Sequence, residues 1–195
     1  VERLKKEKGL VPKIAVVLVG EDPASLSYIK GKEKASAEVG IESMVHRLPS
    51  DIKEESVIGL IESMNADSHI HAILVQLPLP SHINEERVLE AIDPKKDVDG
   101  LHPLNMGNLF KGKDPLFIPC TPAGILELIL STGVDITGKN AVVVGRSNLV
   151  GKPTAILLLK SHATVTICHT KTKNLGDVTV QADILVVAAG KAKIV

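Results

Sequence analysis

Aromatic residues are almost missing from this chain: its 195 residues include no Trp, one Tyr (Tyr28) and two Phe (Phe110 and Phe117). A core of stacked rings is therefore excluded, and the interior must be built from Val, Ile, Leu and Ala. Net charge is missing too. Lys+Arg and Asp+Glu balance at 23 each, which leaves no electrostatic footprint for nucleic acid or an anionic membrane surface. The implied partner is a small molecule. Cysteine is sparse: Cys120 and Cys168 stand far apart, with no metal-ligand spacing. Two cysteines in a chain of this size fit a reducing, cytoplasmic compartment better than a disulfide scaffold. No apolar run has the length of a membrane span, and the first residues lack a charged-then-apolar signal pattern.

What is present is alternation. Apolar runs of strand length alternate with helix-length amphipathic stretches, the pattern of a parallel α/β sheet. Strands are expected at Ile14–Val19, Ser43–Leu48 and Ala72–Val75, with helices at about Pro23–Val39, Glu54–Met64 and Glu85–Ile92. A long loop from Asp93 to Pro119 follows, rich in Asp, Gly, Pro and Asn. A loop of that length is usually functional or a linker. A helix over Pro122–Leu130 leads to a second unit with strands Ala141–Val144, Thr164–Cys168 and Ile184–Val187 and a helix near Pro153. This order reads as a βαβαβ half of a dinucleotide fold. Two domains are expected, 1–120 and 121–195. The second is short for a domain, and the chain stops soon after the apolar run ending at Val187. The end is therefore read as a break inside a domain, with an unpaired apolar edge that natural proteins avoid.

The turn Val144-Gly145-Arg146-Ser147-Asn148-Leu149-Val150-Gly151-Lys152-Pro153 joins a strand to a helix. Free N–H groups and the helix dipole favour an anion at such a place. Its spacing is G-x₅-G rather than G-x-G-x-x-G, so the turn alone is also compatible with no ligand. The second strand ends Cys168-His169-Thr170-Lys171-Thr172-Lys173, without the Asp or Glu that holds a ribose 2′-hydroxyl in NAD sites. Hydroxyls and cations there would accept a 2′-phosphate, and Arg146 and Ser147 lie in the neighbouring turn. Arg can bind phosphate bidentately. The reading is NADP rather than NAD; the bland alternative makes Lys171 and Lys173 a solvated edge.

Tyr28 and Lys32 fall at i and i+4 of a helix and share a face. A phenol beside an amine is a recurring proton-handling pair, although Lys30, Lys32 and Lys34 are also what a wet helix face looks like. Gln76, at the carboxyl end of the third strand, stands where open α/β sheets place ligands, and it can orient the Lys32 amine. Asp99, in Lys96-Asp97-Val98-Asp99-Gly100, can pair with an aminopyrimidine edge, whereas Asp97 suits a turn cap. Asp97, Asp99 and His102 do not make a calcium loop, because the glycine falls too early and the twelfth position is Asn108; no metal site is expected. Short-chain dehydrogenases also use Tyr-x-x-x-Lys, but after the nucleotide loop and in the same domain. Here the pair comes long before Gly145. A non-catalytic folate or nucleotide module would need Arg146 and Asp99 but not Tyr28, Lys32 and Gln76 together.

Taken in order, Glu21-Asp22-Pro23-Ala24-Ser25 through Tyr28 and Lys32, Val75-Gln76-Leu77-Pro78-Leu79-Pro80, Lys96–Gly100, Pro119-Cys120-Thr121-Pro122, the Gly145–Pro153 turn and Ala163–His169 resemble one family. It is that of the bifunctional methylenetetrahydrofolate dehydrogenase/cyclohydrolases. The resemblance implies a folate cleft between two α/β domains, with Lys32 as the main catalytic group. Tyr28 and Gln76 would support it, and Asp99 would anchor the pterin. Gly145, Arg146, Ser147, His169 and Thr170 would bind NADP, with Arg146 and Ser147 on its 2′-phosphate. It implies oxidation of 5,10-methylenetetrahydrofolate, then hydrolysis of the methenyl product, by a homodimer joined through its nucleotide domains. Thr170 replaces a more common Ser and Ser36 a common Cys. The family continues past the point where this sequence stops, with further strands and a Pro-Gly-Gly loop near the cofactor.

Overall fold

Parallel strands covered on both faces call for near-continuous apolar runs, and the apolar runs Ile14–Val19 and Ala141–Val144 form the central strands of two parallel sheets. The computed structural model describes residues 1–195 and contains two compact units, Val1–Val98 and Asp99–Val195. No helix is long and apolar enough to cross a membrane.

The first unit runs α1 (Glu2–Lys8), β1 (Lys13–Val19), α2 (Pro23–Glu38), β2 (Glu42–Leu48), α3 (Glu54–Ala66), β3 (Ala72–Val75) and α4 (Glu85–Glu90). Its sheet is parallel, in the order β2-β1-β3. The central strand is buried from Ala15 to Val19. Ala15, Val17 and Val19 pack with Val57, Ile61 and Met64 of α3, while Val16 and Leu18 pack with Ile29 of α2. The two crossover helices thus cover opposite faces, as right-handed connections running in opposite directions along a sheet require.

The second unit runs α5 (Pro103–Phe110), α6 (Cys120–Ser131), β4 (Asn140–Val144), α7 (Gly151–Lys160), β5 (Thr164–Cys168), α8 (Leu175–Thr179) and β6 (Ile184–Val187). The sheet order is β5-β4-β6. A dinucleotide half would run third-second-first; here β6 crosses back and pairs with the far side of β4, Ala141 with Ile184 through Val144 with Val187. The short α8 covers the face opposite α7: Leu175 and Val178 lie with Val142 and Val144, whereas Ala155 and Leu158 lie with Ala141 and Val143. Both units therefore follow one plan, with the first strand central and the third on its other side.

The expected loop from Asp93 to Pro119 is more ordered than its composition suggests. Lys96 accepts the Ile73 N–H at 2.7 Å, and Asp97, 1% exposed, bridges in parallel to Ile73. The loop also contains α5, started by Pro103 and by His102, whose Nδ1 accepts the Leu104 N–H at 3.1 Å. Gly100 has φ +67, and a Cβ there would stand 2.8 Å from Ile118 C and Pro119 N, so the loop's two ends are packed on each other.

Candidate functional site

In each unit the carboxyl ends of the first and third strands lie side by side where the strand order reverses, the place where open α/β sheets bind ligands. In the first unit that place is framed by α2 and the residues after β3. α2 begins at Asp22, whose carboxylate accepts the Ser25 N–H at 2.8 Å, with Pro23 in the first helical position. That amide bond holds the Asp22 carboxyl below the usual aspartate range.

Ser25 and Ile29 are the buried residues of α2. Lys32, seven residues beyond Ser25, continues the same stripe and is half-buried. Helical side chains lean toward the helix N-terminus, which here means toward the carboxyl ends of the strands. Lys32 Nζ accordingly donates to Gln76 Oε1 at 3.1 Å. Gln76 is the first residue after β3 and is held by its own amide, which donates to the Val17 carbonyl at 2.9 Å. Its side-chain Nε2 donates to the Leu77 carbonyl at 2.8 Å, so the amide oxygen is the atom left facing Lys32. The Leu77–Pro78 peptide is cis. Tyr28 stands one turn before Lys32 and is 65% exposed. The structure thus joins Lys32 to Gln76 and leaves Tyr28 at the rim. Asp99 is half-buried at the start of the second unit, next to the closely packed Gly100.

In the second unit, register does the positioning. Val144 pairs with Cys168 on one side and Val187 on the other. Gly145 N–H donates to the Cys168 carbonyl at 2.8 Å, and Ala188 N–H to the Val144 carbonyl at 2.7 Å. Arg146 and Thr170 each follow a paired residue by two positions, and both are exposed. Gly145 has φ +130, and a Cβ on it would overlap the Ala188 carbonyl. A Cβ on Gly151 would overlap the carbonyl of Gly145. The G-x₅-G spacing is a steric one: each glycine lets another backbone carbonyl lie where its side chain would be.

The first turn of α7 carries a finding that the sequence did not suggest. Ser147 Oγ accepts the N–H groups of Val150 at 3.1 Å and Gly151 at 3.3 Å, and its carbonyl accepts that of Lys152 at 3.0 Å. The helix donors expected to be free for an anion are engaged by Ser147. With its lone pairs occupied, the hydroxyl keeps its proton to donate. His169 is half-buried; its Nδ1 accepts the Lys171 N–H at 3.1 Å, and its own N–H donates to Thr172 Oγ1 at 2.8 Å. Ala188, Thr172 and Lys96 were not singled out individually from sequence. The Ala-Ala-Gly after the last apolar run and the turn-forming Thr were visible signals, but only strand register gives them a place.

Two parallel α/β units, the second with a glycine-seated strand-to-helix turn of the dinucleotide-binding kind, define the class of protein. The family models match accordingly: tetrahydrofolate dehydrogenase/cyclohydrolase, catalytic domain, over residues 1–99, and the NAD(P)-binding domain of the same family over residues 119–195. The chain belongs to the tetrahydrofolate dehydrogenase/cyclohydrolase family. It is 56% identical over 190 residues to the bifunctional protein FolD of Geobacillus thermodenitrificans, covering 97% of this chain and 66% of the relative. Against FolD of Streptococcus agalactiae it is 53% identical over 195 residues, covering 100% and 68%. The chain thus spans about two thirds of the length of these relatives. Among solved structures, the bifunctional FolD of Campylobacter jejuni superposes with TM-score 0.95 at 47% identity, covering 99% of this chain and 68% of that one. FolD of Trypanosoma brucei, solved with NADP and an inhibitor, gives 0.92 at 36% identity, covering 96% and 64%.

Proposed function

We propose that this protein oxidises 5,10-methylenetetrahydrofolate to the 5,10-methenyl compound with NADP⁺ and then hydrolyses it to 10-formyltetrahydrofolate. The observation that carries the reading is the Lys32–Gln76 hydrogen bond at the reversal point of the first sheet, in a chain of this family. The functional division assigns 1–120 to folate and 121–195 to the nucleotide. The packing boundary lies earlier, at Val98/Asp99, so the segment that holds α5 serves folate while packing with the second unit.

NADP fits the residues of the second unit. Gly145 and Gly151 seat the strand-to-helix turn tightly on neighbouring backbone, and a turn of that kind presents a pyrophosphate site in dinucleotide folds. Arg146, Thr170 and the donor hydroxyl of Ser147 suit a 2′-phosphate, and His169 flanks it. When bound, the nicotinamide supplies the hydride acceptor. This chain's residues do the remaining work. Asp99 pairs with the aminopyrimidine edge of the pterin, and Tyr28 covers the substrate from the rim. Gln76 Oε1 takes one N–H of Lys32 and so aims the amine. Hydrolysis adds water to the methenyl carbon; the C–O bond forms as one water proton passes to the Lys32 amine, and the N⁵–C bond then opens as the remaining hydroxyl proton is transferred to N⁵, leaving N⁵–H and the formyl group on N¹⁰.

The protein acts in the cytoplasm as a homodimer, and its product supplies the formyl groups of purine biosynthesis. Two cysteines without disulfide-scaffold or metal-ligand spacing, Cys120 and Cys168, support a reducing compartment. The test is to incubate the intact protein with 5,10-methylenetetrahydrofolate and each cofactor, following methenyl absorbance and formyl product. NADP⁺-dependent formation of both is expected. Failure to form either, or equal rates with NAD⁺, would sink the reading.

A further inference from the structure

The turn after β5 is closed by two residues, His169 and Thr172. Thr172 takes both backbone polar groups of His169: its Oγ1 accepts the His169 N–H at 2.8 Å, and its own N–H donates to the His169 carbonyl at 2.8 Å. A third bond, Lys171 N–H to His169 Nδ1 at 3.1 Å, lies inside the same turn. Just before it the chain is fixed, since Cys168 is 1% exposed and its carbonyl holds Gly145. Just after it the chain passes through Asn174, at φ +48, into α8. Thr170 and Lys171, the two central residues, are exposed. The direction in which they point is therefore set by the closure of the turn, and the hydroxyl of Thr172 is the side-chain half of that closure.

We propose that Thr172 is a positioning residue for cofactor choice: its hydroxyl presets the His169–Thr172 turn so that Thr170 and Lys171 meet the 2′-phosphate together, beside Arg146. This rests on the NADP reading above. A turn already in its bound shape loses less freedom on binding, and preorganisation of that sort is where affinity is gained without a new contact. The effect is confined to the phosphate, because the rest of the dinucleotide lies on the Gly145–Gly151 floor and not on this turn. A Thr172 that only supported the fold would have no reason to distinguish two cofactors that differ by that phosphate.

The experiment compares Thr172→Val, which keeps the shape and removes the acceptor, with Thr172→Ser, which restores it. Dissociation constants for NADP⁺ and NAD⁺ are measured by titration calorimetry on the intact protein, and exchange of the His169 amide is followed by NMR. Loss of one neutral hydrogen bond should weaken NADP⁺ about three- to tenfold in the valine variant and leave NAD⁺ within about twofold. His169 exchange should speed up in valine and return to the wild-type rate in serine. Arg146→Ala is the control on the underlying reading; loss of a charge-assisted phosphate bond should cost about ten- to a hundredfold in NADP⁺ affinity only. If Arg146→Ala separates the cofactors while Thr172→Val does not, or weakens both alike, Thr172 has no positioning role. If Arg146→Ala itself fails to separate them, the NADP reading falls and this proposal with it.

Discussion

The amine of Lys96 caps the last turn of α3 through the carbonyl of Met64, at 2.9 Å, and extends the cap to Asn65 at 2.8 Å and Asp67 at 2.7 Å. The helix ends without a left-handed glycine, its C-cap Asp67 being extended. A cation there meets both the orphan carbonyls and the negative end of the dipole. Lys96 is also the residue whose carbonyl docks the following segment on Ile73. Lys96→Met should therefore destabilise the protein by about 1.5–3 kcal/mol, seen as a lower denaturation midpoint. A change within about 0.5 kcal/mol, the range of an ordinary surface substitution, would show that water replaces the lysine without cost.

Lys32 should matter more for hydrolysis than for oxidation. Hydride transfer requires alignment of two ligands, whereas attack of water needs somewhere for a proton to go. Lys32→Met should lower the hydrolytic rate by about 10²–10⁴-fold and reduce oxidation less, with both measured on one preparation at saturating folate. Near wild-type hydrolysis with collapsed oxidation would reverse the assignment.

Acid should weaken the fold through turn-capping aspartates. The Asp22, Asp67 and Asp135 carboxyls are held low by the backbone amides of Ser25, His69 and Thr137 respectively. A carboxyl depressed in the native state stabilises it fully above the unfolded-state value, and that stability is lost as pH falls through the lowered native value. Melting temperature should accordingly be flat from neutrality to about pH 5 and fall below about pH 4, where an unfolded aspartate binds its proton. Replacing all three by Asn keeps an acceptor at each cap but removes the titration, so the acid slope should shrink. An unchanged slope would locate the acid sensitivity elsewhere.

Thr154 lies on the inward stripe of α7 with Gly151, Ala155 and Leu158 and is 1% exposed. Its Oγ1 is buried without a hydrogen-bond partner. An unmade bond of this kind costs about 1–3 kcal/mol, so Thr154→Val should stabilise the protein by roughly 1 kcal/mol. Chemical denaturation reads this directly, and a loss of stability would mean that the hydroxyl has a partner in solution.

The six strands were legible in the sequence, four as short apolar runs and β2 and β5 as mixed apolar and polar stretches between turn signals, and Ala72–Val75, Thr164–Cys168 and Ile184–Val187 need no adjustment. Gln76, Gly145 and His169 could be placed at strand ends for the same reason. Besides the short helices α1 and α8, three features were not legible. α5 was hidden because its eight residues include Asn, Gly and Pro, and only the His102-Pro103 start signals it. The return of β6 to the far side of β4 is a matter of strand order, and an all-apolar strand buried on both faces suits either side of a parallel sheet. The engagement of Ser147 with the start of α7 is a local choice between two acceptors for the same amides, the serine or a ligand, and the sequence is identical for both.

The seating of Gly151 against the carbonyl of Gly145, and of Gly145 against that of Ala188, bears on how this protein can change over generations. Any side chain at either glycine displaces a neighbouring backbone, so these positions are closed to gradual retuning. The exposed Arg146 and Thr170, which touch no such constraint, are open to it. A lineage moving from one nicotinamide cofactor to the other would keep the floor and rewrite only the rim. Libraries aimed at altered cofactor use should randomise 146, 147 and 169–172 and leave 145 and 151 fixed.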